Sequence, residues 1–555
     1  MQNTELAADD EIPLPLGEDE GPVEDGSPEP SSGADRPFRI LGYNGENFYY
    51  FPRRGRQVVA LSASGHTMQN LLRLAPLNYW QDNYGHKDTQ PSKIALFAAN
   101  SLIAACQREG VFVEEDRMRG TGVWLDEGRT VLNCGDKIFM NGQQTAFEQI
   151  ESEYTYVAAA RLIKPPSEAL DNYGAARLRA ICRSPTWANQ LSGDLLAGWL
   201  VVAPVAAALS YRPHLYITGE SDSGKSTVQD KIIKEVCGPL AVHFHGKTTE
   251  PWVRTCIGYN SRPVIFDEAE NSPSMAAVLE LAQIASTGGT IGKFGQKPFK
   301  AQFCAIFSAI NPPVNQPSLE NRISFLVLKK NLRSTAIQEY EDLLRLIDEV
   351  ITEGFAEKLL ARTLNNFETL QANIKTFSTA ARKVLNMART STHIGALIAG
   401  VFLLGRTCRV TPEEAEKWIK AQAWEDHTPI GQDGDPMRLF QYICSYPLRY
   451  VPSSGTPREV QAGELIKLSL DGDETSNKLL RQYAIKTSME GVTIGDKSPN
   501  MVKLLRGTDW EKRWNRTLMD IPGAEKVSND YFTTGVKMNG VRLPISLFRN
   551  EETLI

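Results

Sequence analysis

Gly219, Gly224, Lys225 and Ser226 stand at the spacing G-x-x-x-x-G-K-S inside HLYITGESDSGKSTVQDKII, residues 214–233. At that spacing the glycines let the backbone curl until successive N–H groups point at phosphate oxygens. The lysine sets its charge on the outer phosphates, and the serine hydroxyl is positioned to ligate Mg²⁺. Glu220, Ser221, Asp222, Ser223 and Thr227 complete the loop. A short β-run comes before it and a helical pattern after it, which is the context such a loop needs; a tight turn with an exposed lysine is the bland alternative. The expected ligands are a nucleoside triphosphate, ATP or GTP, and Mg²⁺.

PVIFDEAE supplies a second element. Its apolar residues would bury a strand and project Asp267 and Glu268 from the carboxyl end, 42 residues after Lys225. Asp267 is expected to hold Mg²⁺ and Glu268 to orient and deprotonate the attacking water. Asn311 ends the next apolar strand, where an amide can place the water or contact the γ-phosphate; Asn311-Pro312-Pro313 also reads as a turn. Arg322 precedes the last strand and can reach a neighbouring subunit's ATP, with Arg333 and Arg262 as rivals and a salt bridge to Glu320 as the plain alternative. Between the acidic strand and the Asn strand lies STGGTIGKFGQKPFK, residues 286–300. A glycine-flanked hairpin carrying Lys293, Phe294 and Lys297 suits one nucleic-acid strand, lysine to phosphate and ring to base. An ordinary hairpin with solvated lysines has the same composition.

These residues need a scaffold, and the apolar β-runs HLYIT, AVHFH (241–245), PVIFD (263–267), FCAIFSA (303–309) and ISFLVL (323–328) provide one. Helical patterns separate the first three, the alternation of a parallel α/β sheet. The predicted organisation is a disordered acidic tail over 1–36, an α+β domain over 37–165 and an ATPase domain over 170–335. A helical domain over 336–425 and a mixed region over 430–555 follow. The α+β domain over 37–165 opens on FRILGYNGENFYYFP with a hairpin-like Asn44-Gly45 turn and shows no catalytic constellation.

The net charge of −6 is unevenly spread: residues 1–35 hold 11 acids and no Lys or Arg. The rest of the chain carries 60 basic groups against 55 acidic ones, the 66 less those 11, a balance that permits a nucleic-acid partner. The eight cysteines are scattered without C-x-x-C or a nearby histidine, so they read as small buried hydrophobes of a reducing cytoplasm. The acidic start is unlike a secretory signal. LLAGWLVVAPVAAAL, 15 residues over 195–209 with Pro204 inside, is short for a membrane span and reads as a buried helix. No membrane partner is expected.

Taken together, GESDSGKST, VIFDEAE, the Lys293–Phe294 hairpin, Asn311 and Arg322 resemble the superfamily 3 branch of the AAA+ ATPases. That branch includes helicases of small DNA viruses, poxvirus-type primase–helicases and replication proteins of phages and mobile elements. The resemblance covers roughly residues 170–335. It implies an α/β fold with a P-loop AAA+ parallel-sheet core and a homo-hexameric ring with ATP at subunit interfaces. Arg322 would then act on the neighbour, and the hairpin would line a DNA channel. The expected function is an ATP-dependent DNA helicase or translocase, acting on single-stranded or forked DNA in replication of a phage or mobile element. The alternative is a protein-remodelling or regulatory ATPase, and a third class is a nucleotide-gated DNA scaffold that does not hydrolyse. Residues 37–165 show no paired acidic primase motif or zinc site, so no priming activity is expected; a separate primase or other replication protein is a candidate partner. The C-terminal helices and two-stranded ribbon suit a winged-helix-like domain, and residues 475–519 hold nine basic and four acidic side chains.

Overall fold

A computed structural model describes residues 36–549 apart from 86–88, 166–167, 271, 293–296, 311–321, 387–389, 425–434, 452–455, 457, 497, 506–509, 511–513 and 534–535. The chain divides into two compact units, Met1–Phe112 and Val113–Ile555.

In the first unit β1 (Phe38–Asn44), β2 (Asn47–Pro52) and β3 (Val59–Ser62) form an antiparallel meander. The β1–β2 turn runs through Gly45 at φ +56°, a left-handed conformation that glycine adopts without steric cost. The sheet packs on α1 (Leu77–Tyr84) and α2 (Pro91–Glu109). Trp80 is fully buried there, its indole N–H shared between the carbonyls of Leu71 and Ala75.

In the second unit a helical turn over Glu114–Arg117 and a short strand over Met118–Arg119 precede a four-stranded antiparallel meander, β4 (Gly122–Asp126), β5 (Arg129–Asn133), β6 (Ile138–Met140) and β7 (Gln143–Thr145). Residues 113–165, read from sequence with the preceding strands, are therefore in the same compact unit as the phosphate loop. Next come α3 (Asn172–Arg183) and α4 (Leu191–Val202), the latter continued by a 3₁₀ turn over Ala203–Ala208. Leu191–Ala208 is long and apolar enough to cross a membrane, yet 94% of it is buried inside the protein. It forms the floor of the largest core cluster.

Then β8 (His214–Gly219) leads through the glycine loop into α5, made of Lys225–Thr227, the π-helical Val228–Ile233 and Lys234–Cys237 in unbroken succession. The remaining elements of this layer are β9 (Val242–His245), α6 (Glu250–Ile257), β10 (Val264–Asp267), α7 (Pro273–Thr287), the short antiparallel pair β11 (Thr290–Ile291) and β12 (Phe299–Lys300), β13 (Ala305–Ser308) and β14 (Ile323–Leu328). All five predicted sheet strands are present and parallel, in the order β9-β10-β13-β8-β14.

A parallel sheet is covered on both faces, and period-2 alternation decides which side chains serve which face. Leu215, Ile217, Ile265, Ile306 and Leu326 point into one core; Tyr216, Phe244, Phe266 and Phe307 point into the other. On that second face one ring per strand lines up. Phe325, Tyr216, Phe307, Phe266 and Phe244 stack in sheet order with centroids 5.4, 5.8, 5.2 and 5.1 Å apart.

Helices α8 (Ala336–Val350), α9 (Phe355–Asn365), α10 (Phe367–Leu385), α11 (Thr390–Gly405) and α12 (Pro412–Lys420) follow. The apolar α11 lies directly on α4. A Cβ added at Gly198 would stand 2.0 Å from the Leu397 carbonyl oxygen, and one at Gly400 2.5 Å from that of Gly198. The two helices thus meet backbone to backbone, an approach only glycine permits. The C-terminal region contains α13 (Asp435–Ser445), α14 (Ala462–Leu470) and α15 (Glu474–Gln482), and ends in a four-stranded antiparallel sheet with its own core.

Candidate active site

Parallel strands expose their carboxyl ends together, so the order β10-β13-β8 sets the acids of β10 and the loop after β8 on the same edge, with the end of β13 between them. The loop takes its curvature where glycine is required. Gly219 has φ +156°, and a Cβ there would stand 2.5 Å from the Leu328 carbonyl oxygen; Gly224 has φ +91° as the cap of α5. Asp222 also lies in the left-handed region, at φ +61°. Loop residues Glu220, Ser221, Asp222, Gly224 and Ser226 are exposed, while Ser223 is buried with its hydroxyl unpartnered. The Lys225 ammonium donates to the carbonyls of Gly219 and Glu220, both at 2.7 Å. Burial pushes its pKa down, opposed by the charges of Glu270 and Asp222. The lysine is thus partly desolvated and lies within the field of an acid just beyond β10.

Asp267 ends β10 half-buried. Its Oδ1 accepts the Glu268 backbone N–H at 3.0 Å and lies 3.3 Å from the Ser308 hydroxyl. Ser308, at the end of β13, in turn meets the carboxamide of Gln229, which is 3% exposed on α5 one turn beyond Ser226. A side-chain chain Gln229–Ser308–Asp267 therefore joins the phosphate-loop helix to the acidic strand. With the carboxamide turned so that its NH₂ donates to Ser308, the hydroxyl proton is directed at Asp267, and Gln229 Nε2, otherwise unpartnered, is satisfied.

Glu268 is exposed and held at φ +53°. Its backbone runs so close to Gly246 that a Cβ on that glycine would lie 1.8 Å from the Glu268 carbonyl oxygen. Its carboxylate stands 3.6 Å from His245 Nδ1 at the end of β9. A left-handed conformation is costly for glutamate and marks a side chain aimed by its surroundings. Glu270 accepts the Ile310 N–H at 2.8 Å, and Thr218 donates to the Ile310 carbonyl at 3.1 Å, so the chain leaving β13 is fastened beside the loop. Asn311, Lys293 and Phe294 lie outside the described residues.

Arg322 is not brought to this edge. His214 pairs with Ile323 and Gly219 with Leu328, so Arg322 sits at the amino end of β14, opposite the loop, and donates to the Gln283 carbonyl at 2.9 Å. At about 3.3 Å per residue, the run from Arg322 to Leu328, the partner of Gly219, sets it roughly 20 Å from the loop. Its rivals have other work. Arg262 donates to the carbonyls of Leu240, Pro239 and Ala241, and Arg333 pairs with Glu339 at 3.4 Å. Lys297, beside β12, is paired with Glu114 at 3.0 Å.

Sequence reasoning missed Gln229, Ser308, His245, Gly246 and Glu270. Glu270 had a visible signal as the third acid of D-E-A-E. The others are defined by neighbours distant in the chain. A cavity of about 180 Å³ beside the loop, lined by Pro185, Asn331, Tyr340 and the loop's Asp222–Gly224, gives the edge room for more than phosphate.

The donors fit Mg²⁺. A serine hydroxyl and one carboxylate are hard oxygen ligands, and this ion is held by one or two carboxylates together with phosphates rather than by a protein cage. Among the described residues no group of three His, Cys, Asp or Glu side chains forms such a cage.

The sequence matches no protein-family model and no curated protein. The fold is similar to a solved structure described as SCCmec type IV Cch, an active helicase, with a TM-score of 0.50, 13% identity and 90% of each chain covered. At that identity the similarity is one of fold.

Proposed function

We propose that this chain is an ATP hydrolase of the superfamily 3, AAA+ type that moves along or unwinds DNA. The observation that carries the reading is the joined edge: Lys225 in a curled glycine loop, and Asp267 tied to the helix of that loop through Ser308 and Gln229. The backbone N–H groups at the start of α5 receive the phosphates, and Lys225 moves from the carbonyls of Gly219 and Glu220 to the outer phosphate oxygens. Ser226 and Asp267 would hold Mg²⁺, which when bound would supply positive charge to the phosphate oxygens. Glu268, aimed by Gly246 and His245, takes a proton from water as its oxygen bonds to the γ-phosphorus and the bond to the β-phosphate oxygen breaks. Asn311 contacts the γ-phosphate.

Arg322 serves a neighbour. Its position at the far end of the sheet supports a ring in which each copy completes the next copy's site. The DNA assignment is supported by the lysines of the β11–β12 stem and by the helicase of similar fold, with Lys293, Phe294 and Lys297 as the gripping set. The helix pair α14–α15 and the sheet after it support a second, winged-helix contact with DNA.

ATP hydrolysis and strand separation, measured with and without single-stranded DNA at low salt and alongside sizing with nucleotide, test the reading. Stimulated hydrolysis and a nucleotide-dependent ring are expected. Hydrolysis indifferent to DNA would favour a protein-remodelling ATPase, and no hydrolysis would remove the site.

A further inference from the structure

At the base of the β11–β12 stem, residues from 115–124, 251–260 and 297–302 line a cavity of about 430 Å³. It presents four cations: Arg119, Arg254, Lys297 and Lys300. Three have carboxylates. Arg254 pairs with Glu250 at 2.8 Å, Lys297 with Glu114 at 3.0 Å and Lys300 with Asp116 at 2.9 Å.

Arg119 differs. It is 7% exposed, and no carboxylate lies within ion-pair distance of it among the described residues. Its guanidinium sits between two rings instead, 4.7 Å from Trp124 and 4.2 Å from Tyr154. Burial lowers its pKa, though an arginine keeps its charge. Arg212, also buried and without an ion-pair partner among the described residues, is near enough that the charge of Arg119 lowers its pKa further. A buried guanidinium without a carboxylate, within the field of a second buried cation, is costly, and an anion entering the cavity beside Arg119 would offset part of that cost.

The two lysines are held differently. Glu114 and Asp116 belong to the acidic turn Glu114–Arg117, and Glu114 is steadied by the Tyr259 hydroxyl, which donates to it at 2.9 Å. Lys297 is largely exposed, so its ion pair is of the weak, salt-sensitive kind. A phosphate can displace it.

We propose that this cavity receives the backbone of a single DNA strand. Arg119 takes one phosphodiester, and Lys297 and Lys300 exchange their carboxylates for phosphates beside it. The carboxylates of Glu114 and Asp116 are internal stand-ins that the strand displaces. Cations spread over three chain segments suit a polyanion better than a single phosphate, and a duplex is too wide for the space. The inference rests on the reading above, in which DNA passes the hairpin, and adds the cavity and its competitor.

Binding of a labelled oligothymidylate to the full chain, followed by anisotropy over a salt series, tests it. Arg119→Gln is expected to weaken binding about tenfold at low salt and to flatten the slope of log K against log salt by about 0.7, the value of one single-strand phosphate contact. The double variant Glu114→Gln/Asp116→Asn is expected to do the opposite. It should bind several-fold tighter, with hydrolysis in the absence of DNA unchanged. Thermal melting checks that Arg119→Gln folds; should it not, Lys300→Gln carries the slope measurement with the same expectation.

Wild-type slopes in the arginine or lysine variant, or unchanged or weaker binding in the acidic-turn variant, would overturn the cavity while leaving DNA binding in place. A wild-type chain that binds no oligothymidylate at low salt would overturn both this inference and the DNA reading beneath it.

Discussion

In the proposed reaction the chemistry turns on Glu268, and the backbone there says how its side chain is aimed. A glutamate at φ +53° is held there by its neighbours, chiefly by the bare backbone of Gly246. Two outcomes follow. Glu268→Gln should keep ATP binding while lowering the hydrolysis rate by about 10² or more, since only proton removal is lost; equilibrium binding and turnover on one preparation would check it. Gly246→Ala, which touches no reacting atom, should lower turnover about tenfold or more, because its new methyl would have to displace the Glu268 carbonyl. Unchanged turnover in that variant would show that the conformation at Glu268 is incidental. Asp267 and Glu268 were legible from an apolar run ending in two acids after a phosphate loop. Gln229 and Ser308 were not. Nothing in TVQDK or FSAIN marks them, and their role exists only because β13 is laid between β8 and β10.

At the scale of elements, the central sheet was legible because each strand is a short apolar run between helical patterns. Its order was not, since parallel neighbours need not be consecutive in the chain. The aromatic row adds what local pattern could not supply. Tyr216 stands opposite both Phe307 and Phe325, and Phe266 opposite both Phe307 and Phe244, so stacking and register support each other across all five strands. A one-residue slip in any strand would turn its ring to the other face. Phe307 is at the middle of the row and fully buried. Phe307→Ala should destabilise the unit by about 3–5 kcal/mol, and Phe307→Leu by less, as read from denaturant unfolding. Equal, small losses for both would mean that the rings fill space without adding stacking.

For the whole molecule, the opposed positions of Lys225 and Arg322 along β8 and β14 make a prediction that one chain cannot meet alone. Lys225→Ala and Arg322→Ala should each abolish hydrolysis. An equimolar mixture should recover a fraction of wild-type activity, because some interfaces then pair an intact loop with an intact arginine. Steady-state hydrolysis against mixing ratio checks it; a mixture as inactive as its parts would take Arg322 out of the site. The division of the chain was the least legible feature at this scale. The passage from Phe112 to Val113 falls within GVFVEED, with no linker composition to mark it.

The meeting of Gly198 with Gly400 bears on how a turnover could be felt at a distance. Where two rods touch without side chains between them, neither can slide nor roll without a clash, so α4 and α11 travel as one piece. On the proposed reading, a displacement started at the phosphate-loop edge would reach the helical layer through that contact. The pivots of the proposed motor would then belong elsewhere, at joints where the packing has slack to give.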